Sequence, residues 1–171
     1  MQCIGLLGGT FNPIHFGHLR MAQELVEALN LTEVRFIPSA NPPHKNQPSV
    51  SAKERAAMVQ LAVANNPLFK LDTRELNRDG ASYTIDTLIS LREELGNNVA
   101  LCLVMGSDAF AKLNTWHRWQ ELLKYCHIIL VQRPSKLAQA KLSDNLTTLL
   151  HDNYTENIDD LEKKSDRKSV V

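Results

Sequence analysis

Short, nearly continuous apolar runs alternate along the chain with segments whose apolar residues recur at helical spacing. The runs cover residues 2–8, 34–38, 68–72, 99–106 and 127–134, and most of them stop at a glycine or a proline. Strands that are apolar on both faces and separated by helices are typical of a parallel sheet covered by helices on both sides. The sequence therefore predicts a doubly wound α/β fold, whose ligand site lies beyond the carboxyl ends of the strands.

The intervening segments carry local signals for helices. Ser51 and Glu54 form a capping-box pattern, and Thr84 is a suitable N-cap for a helix that ends at Gly96. The predicted helices cover residues 17–29, from Ser51 to about 64, 84–95, 116–124 and 136–150. Residues 39–50 contain three prolines without periodicity, which predicts a loop.

A chain of 171 residues is long enough for one domain with a substantial core. We expect residues 1–150 to form a single catalytic domain. About half of residues 151–171 are charged, and few of them are large and apolar. Because such a segment buries too little surface to offset the entropy of ordering, we expect a mobile tail there.

Composition and charge exclude several classes of protein. The 19 basic and 19 acidic residues give no net charge, so no global field favours nucleic acid or an anionic membrane. No apolar run is long enough to span a bilayer, and the N-terminus lacks the pattern of a secretion signal. Cys3, Cys102 and Cys126 each lie in an apolar run, as is typical of buried thiols in a reducing compartment. We therefore expect a cytoplasmic protein, and the sequence leaves open whether it forms a homo-oligomer.

The stretch "LLGGTFNPIHFGHL", residues 6–19, joins the first strand to the first helix. Gly8 and Gly9 permit a sharp turn and close approach of a ligand, and the helix start presents free N–H groups and a positive dipole end. Thr10, His15 and His18 add donors beside it, which favours a phosphate site. A solvated turn or a pair of metal ligands are the alternatives, although no third ligand cluster is evident. The glycine spacing fits neither a Walker loop nor the dinucleotide fingerprint.

The stretch "GGTFNPIHFGH" resembles the (T/H)xGH-type signature of the nucleotidylyltransferase superfamily. Five later stretches resemble bacterial nicotinate-nucleotide adenylyltransferase: "IPSANPPHK", "SYTIDTL", "VMGSDAF", "NTWHRW" and "VQRP". The resemblance covers about residues 1–135. It implies a Rossmann-like fold and transfer of the adenylyl group of ATP to nicotinate mononucleotide. The products are deamido-NAD and pyrophosphate, and no covalent enzyme intermediate forms.

The resemblance also implies the residues of the site. The ATP contacts are Gly8, Gly9, Thr10, Phe11, His15, His18, Gly106, Asp108 and Arg133, of which Thr10, His15 and His18 are catalytic. The contacts of nicotinate mononucleotide are Asn41, Lys45, Tyr83, Thr84 and Trp116, the last by stacking on the pyridine ring. Mg²⁺ is expected to enter with ATP, held by phosphates and waters, so no protein ligand is assigned to it.

Simpler roles remain open for several of these residues. Residues 106–108 could merely cap a helix, Trp116 could be a core residue, as we expect of Trp119, and Lys45 and Arg133 could be solvated. Another member of the superfamily, phosphopantetheine adenylyltransferase, is an alternative, although "SYT", "PPHK" and "TWHRW" speak against it.

The resemblance fades after Pro134. The family closes with a Ser-Ser/Ala-Thr-x-x-Arg-type stretch that holds the ATP triphosphate, and residues 135–171 contain no such pattern. This difference implies weak ATP binding and poor turnover. A nucleotide-binding module with little or no catalysis is therefore a further alternative.

Overall fold

A five-stranded parallel sheet forms the centre of the structure, a computed structural model that describes residues 1–40, 48–131 and 142–163. The strands are β1 (Gln2–Gly9), β2 (Glu33–Pro38), β3 (Phe69–Leu71), β4 (Val99–Gly106) and β5 (His127–Val131). Their order across the sheet is β3-β2-β1-β4-β5, and every neighbouring pair is parallel. The predicted doubly wound α/β fold is thereby confirmed.

Six α-helices occur in the described part of the chain. They are α1 (Phe16–Leu29), α2 (Ala52–Val63), α3 (Thr84–Leu95), α4 (Ser107–Phe110), α5 (Asp144–Asn153) and α6 (Asp159–Lys163). Two short 3-10 helices, Leu113–Thr115 and Trp119–Lys124, lie between β4 and β5. The predicted capping box of α2 is present, because the Ser51 side chain accepts from the Glu54 N–H and the Glu54 carboxylate accepts from the Ser51 N–H.

Helices cover both faces of the sheet, as the apolar strands require. Ile4 and Leu6 of β1 face one core, and Cys3 and Leu7 face the other. The first core is completed by α3, the 3-10 helices and α5, through residues that include Ile85, Leu88, Leu91, Leu113, Leu122 and Leu146. The second is completed by α1, α2 and α6, through residues that include Ala22, Leu29, Val59, Val63 and Leu161. This alternation explains why the strands read as continuous apolar runs.

Several element boundaries differ from the sequence prediction. The helix predicted over 116–124 is a 3-10 helix that begins at Trp119, and the helix predicted over 136–150 is described as α5, from Asp144 to Asn153. Tyr83, not Thr84, occupies the N-cap of α3 and makes no side-chain cap bond. The domain boundary expected at residue 150 falls inside α5. Beyond it, Leu161 of α6 is only 1% exposed in the second core, so the described part of the expected tail packs on the domain.

The sheet order places β1 next to β4, which is the topological switch point of the sheet. The loops that follow these two strands leave the sheet at the same edge, where open parallel sheets bind ligands. Cys3, Cys102 and Cys126 are all buried and none forms a disulfide, as predicted. Among the described residues, no helix is long and apolar enough to cross a bilayer.

Candidate active site

Two histidines form the start of α1 and cap it reciprocally. His15 is the N-cap residue in an extended conformation, and its Nδ1 accepts a hydrogen bond from the Gly17 N–H at 3.1 Å. His18 lies three residues on, and its Nδ1 accepts from the His15 N–H at 3.2 Å. The arrangement is that of a capping box in which imidazole nitrogens replace the usual hydroxyl and carboxylate.

These bonds determine which nitrogen of each ring carries the proton. A neutral imidazole has one N–H and one acceptor nitrogen, and both Nδ1 atoms already accept. The proton of each ring therefore lies on Nε2, and each Nε2–H can donate to a bound ligand. The two rings are stacked with their centroids 3.8 Å apart.

The surroundings of His18 favour its neutral form. Burial lowers the pKa of His18, and the charge of His15 lowers it further. Two imidazolium ions in stacked contact would repel, so the geometry disfavours protonation of both rings at once. The first turn of α1 contains no acidic residue, and the positive end of its dipole lies at the same place, which favours a bound anion.

Phe11 packs against the ring of His18. Its side chain is 3% exposed, and its ring lies edge-on to His18 at a centroid distance of 5.1 Å. Its backbone φ is +49°, and a Cβ at Gly9 would lie 3.3 Å from its ring. The Phe11 side chain belongs to the second core. Its predicted contact with ATP stays a prediction, and such a contact would be made by its backbone.

The other predicted ATP residues lie around the switch point. Gly8 and Gly9 end β1, and a Cβ at Gly8 would meet no atom within 4 Å, so that position faces open space. Gly106 ends β4 and is the N-cap residue of α4, where no side chain supplies a cap bond. Asp108 is exposed in the first turn of α4. These residues therefore form the start of α4, and their contact with ATP stays a prediction.

Two of the predicted substrate segments meet in space. The ring of Tyr83, before α3, lies 4.4 Å from the ring of His117, between the 3-10 helices. Trp116 precedes His117 and is half-buried against the first core, as is Trp119. His117 was missed by the sequence analysis, because an exposed histidine between two tryptophans carries no signal of its own.

Three predicted residues, Asn41, Lys45 and Arg133, lie outside the described residues. Residues 1–40, 48–131 and 142–163 contain no group of three His, Cys, Asp or Glu side chains arranged to hold a metal ion.

Comparison with known proteins agrees with this fold. Residues 6–162 match the cytidylyltransferase-like family. Proteins named "probable nicotinate-nucleotide adenylyltransferase" are similar to the chain over most of its length. The protein of Pseudomonas fluorescens is 54% identical over 147 residues, which cover 86% of this chain and 68% of the relative. That of Pseudomonas putida strain GB-1 is 52% identical over 86% of this chain and 66% of the relative. The chain spans about two thirds of the length of the curated relatives it matches.

Solved structures share the architecture at low sequence identity. The nicotinic acid mononucleotide adenylyltransferase of Plasmodium falciparum, solved as a complex with NaAD, superposes with a TM-score of 0.67. It is 18% identical, and the match covers 86% of this chain and 71% of that one. The same enzyme as a complex with APC gives a TM-score of 0.64 at 18% identity, over 86% of this chain and 70% of that one. With its five parallel strands, its paired histidines at the first helix and its match over residues 6–162, this chain belongs to the cytidylyltransferase-like family.

Proposed function

We propose that this chain transfers the adenylyl group of ATP to nicotinate mononucleotide, giving deamido-NAD and pyrophosphate. The observation that carries the proposal is the capping box of His15 and His18, which leaves two Nε2–H donors and a helix end at the edge beyond β1. The choice of substrates rests on relatives of 52–56% identity that are named for this reaction.

The proposed chemistry is a single displacement at phosphorus. A phosphate oxygen of nicotinate mononucleotide forms a bond to the α-phosphorus of ATP, and the bond from that phosphorus to the oxygen bridging to the β-phosphate breaks. Negative charge then accumulates on the departing pyrophosphate. His15 and His18 donate to the phosphate oxygens through Nε2–H, and the amides at the start of α1 add to this stabilisation. Thr10 supplies a further hydroxyl donor. Mg²⁺ enters as part of the substrate MgATP, through phosphate oxygens and waters.

The proposed nicotinate side lies at the start of α3. Backbone N–H groups there, beside Tyr83 and Thr84, suit a carboxylate and offer less to a neutral amide, which is a physical reason to prefer nicotinate over nicotinamide. We place the pyridine ring against Trp116, which lies next to the contact between Tyr83 and His117. Asn41, Lys45 and Arg133 remain proposed phosphate or substrate contacts on the resemblance alone.

The experiment that tests the proposed function compares acceptors. Pyrophosphate release is measured with MgATP and, in parallel, nicotinate mononucleotide, its amide analogue, phosphopantetheine or no acceptor. The proposal predicts release with nicotinate mononucleotide and less with the amide. Release with phosphopantetheine instead would show the wrong acceptor class, and release with none would indicate simple hydrolysis.

The buried state of all three cysteines supports the further proposal that the protein works in the cytoplasm.

A further inference from the structure

Arg55 of α2 is a buried arginine whose three side-chain nitrogens each donate to a backbone carbonyl. Its side chain is 1% exposed. Nε donates to the Val50 carbonyl, Nη1 to the Thr10 carbonyl and Nη2 to the Ser39 carbonyl. Within the described residues, no carboxylate lies within ion-pair distance of it. Burying a guanidinium without a counter-charge is costly, so a purely space-filling role would suit an apolar side chain better.

The Thr10 carbonyl and the Ser39 carbonyl belong to loops on the edge of the site. Thr10 follows β1 and Ser39 follows β2. In a planar trans peptide the C=O and the next N–H point in opposite directions. Because Arg55 draws the Thr10 carbonyl inward, the N–H of Phe11 points away from the guanidinium, and within the described residues it donates to no other group.

The peptide between Ser39 and Ala40 has the same arrangement, with its C=O and N–H pointing in opposite directions. The Ser39 carbonyl accepts from Arg55 at 2.8 Å, and the N–H of Ala40, on the other side of that peptide, donates to Oγ of Ser82 at 3.2 Å. Ser82 immediately precedes Tyr83 at the start of α3. One peptide is therefore held on both edges, by Arg55 from α2 and by Ser82 from the α3 side.

The path continues into the interior beneath α3. Burial raises the pKa of Glu75, and the hydroxyls of Thr87 and Ser82 oppose this rise; Oγ1 of Thr87 donates to the Glu75 carboxyl at 2.7 Å. Glu75 is 9% exposed and Thr87 is 3% exposed. A continuous series of hydrogen bonds thus joins the loop after β1, where the nucleotide phosphates are proposed to lie, to the start of α3, where the nicotinate is proposed to lie.

We propose that Arg55 is a positioning residue for adenylyl transfer, which fixes the loops of the two substrate sides relative to each other and turns the Phe11 N–H toward the phosphates. This inference rests on the proposed function. Arg55 touches neither substrate and acts through the Thr10–Phe11 and Ser39–Ala40 peptides. Misplacement of reacting groups by about 1 Å can lower a rate by about a hundredfold, so a tie of this kind affects kcat/KM directly.

The test removes the guanidinium and then supplies it in solution. Arg55→Ala should lower kcat/KM by about ten- to a hundredfold. Guanidinium chloride at about 10 mM, far below denaturing concentrations, should raise kcat/KM of the variant at least threefold. Methylammonium at the same concentration should not raise it. A merely structural role predicts that folded protein is lost while kcat/KM per folded molecule stays unchanged. An unchanged kcat/KM, or a loss of kcat/KM that guanidinium does not selectively reverse, would overturn the proposal.

Arg92 provides the matched control. It also donates to three backbone carbonyls, those of Tyr125, Gly96 and Val99, but at the opposite end of the sheet. Arg92→Ala should lower the unfolding midpoint and leave kcat/KM and its response to guanidinium unchanged. If Arg55→Ala fails to fold, Arg55→Lys serves instead, because an ammonium cannot reach three carbonyls in fork geometry. It should show the same loss of kcat/KM, and parent-like kinetics would overturn the proposal.

Amide hydrogen exchange separates this inference from the proposed function. In Arg55→Ala the N–H groups of Ser39 and Ala40, which donate to Gly9 and Ser82, should exchange at least tenfold faster. In Arg92→Ala they should exchange as in the parent. This measurement needs no turnover, so an inactive parent would refute the reaction while the exchange rates still decide whether Arg55 holds the loops. Unchanged exchange in Arg55→Ala would overturn the positioning role.

Discussion

At the scale of the single residue, His18 is the side chain on which the proposed catalysis depends most. Its Nδ1 is committed to the His15 N–H, its ring packs on Phe11, and its Nε2–H remains for a phosphate oxygen. His18→Ala removes one positioned donor and should raise the activation barrier by about 2–4 kcal/mol. Loss of the cap bond should cost about 1 kcal/mol of folding stability, which leaves the protein folded.

The control for this substitution is His151→Ala. His151 is exposed on α5, and within the described part of the chain its ring hydrogen-bonds Asp152 alone, so its removal should change neither turnover nor fold. Steady-state kinetics and circular dichroism of both variants decide the matter. Parent-like turnover of a folded His18→Ala protein would refute the assignment of this histidine.

The depressed pKa of His18 predicts how stability depends on pH. The folded state holds the pKa below the ordinary value of about 6.5, whereas the unfolded chain has the ordinary value. Between these values the unfolded state binds more protons, so the stabilisation is complete above about pH 6.5 and is lost as the pH falls through the folded pKa. Urea unfolding at pH 7.5 and 5.5 should show a smaller fall in His18→Asn than in the parent. An equal or larger fall in the variant would contradict a lowered pKa of His18 in the folded state.

Trp116 tests the proposed position of the pyridine ring. Trp116→Ala should weaken nicotinate mononucleotide by about 1–3 kcal/mol, by analogy with base–aromatic stacking, and leave the KM for ATP nearly unchanged. Because Trp116 also packs on the first core, some stability is lost as well. Trp119→Ala is the matched control, since Trp119 is half-buried against the same core but has no proposed substrate role. Equal changes of KM for both substrates in Trp116→Ala would make it a core residue.

At the scale of the element, the start of α1 is shaped by the small size of Gly17. A Cβ at this position would lie 3.0 Å from Cε1 and Nδ1 of the His15 ring, so Gly17→Ala must push the ring by a few tenths of an ångström. Alanine is the better helix former by about 1 kcal/mol in a helix interior. We therefore expect activity to fall about three- to tenfold with stability unchanged or raised. Activity and unfolding free energy measured together check this, and unchanged activity would show that the position of His15 does not matter.

Elements whose signals are local were predicted correctly, and elements that depend on distant packing were not. The Ser51–Glu54 capping box is a local pattern, and α2 begins as predicted. Nothing local distinguishes an α-helix from the 3-10 helix at Trp119–Lys124. The burial of Leu161 on the second core likewise depends on a surface built by other segments, so the composition of residues 151–171 gave no sign of it.

At the scale of the whole molecule, the parallel sheet explains why sequence alone could define a candidate site. The carboxyl ends of β1 and β4 meet at one edge, so residues just after each strand are brought together whatever the loops look like. Arg55 and His117 escaped prediction for a physical reason. The partners of Arg55 are backbone carbonyls, one of them 45 residues away. Because every residue has a backbone carbonyl, the sequence does not show which ones an arginine binds. His117 becomes notable only through its contact with Tyr83.

The central claim is tested most directly by identifying the product. The purified chain is incubated with MgATP and nicotinate mononucleotide, and the products are separated, identified and quantified by mass spectrometry. The account predicts deamido-NAD and pyrophosphate in equal amounts, with both lost together in a His15→Ala, His18→Ala double variant. Absence of the dinucleotide, or AMP and pyrophosphate without it, would contradict adenylyl transfer to nicotinate mononucleotide.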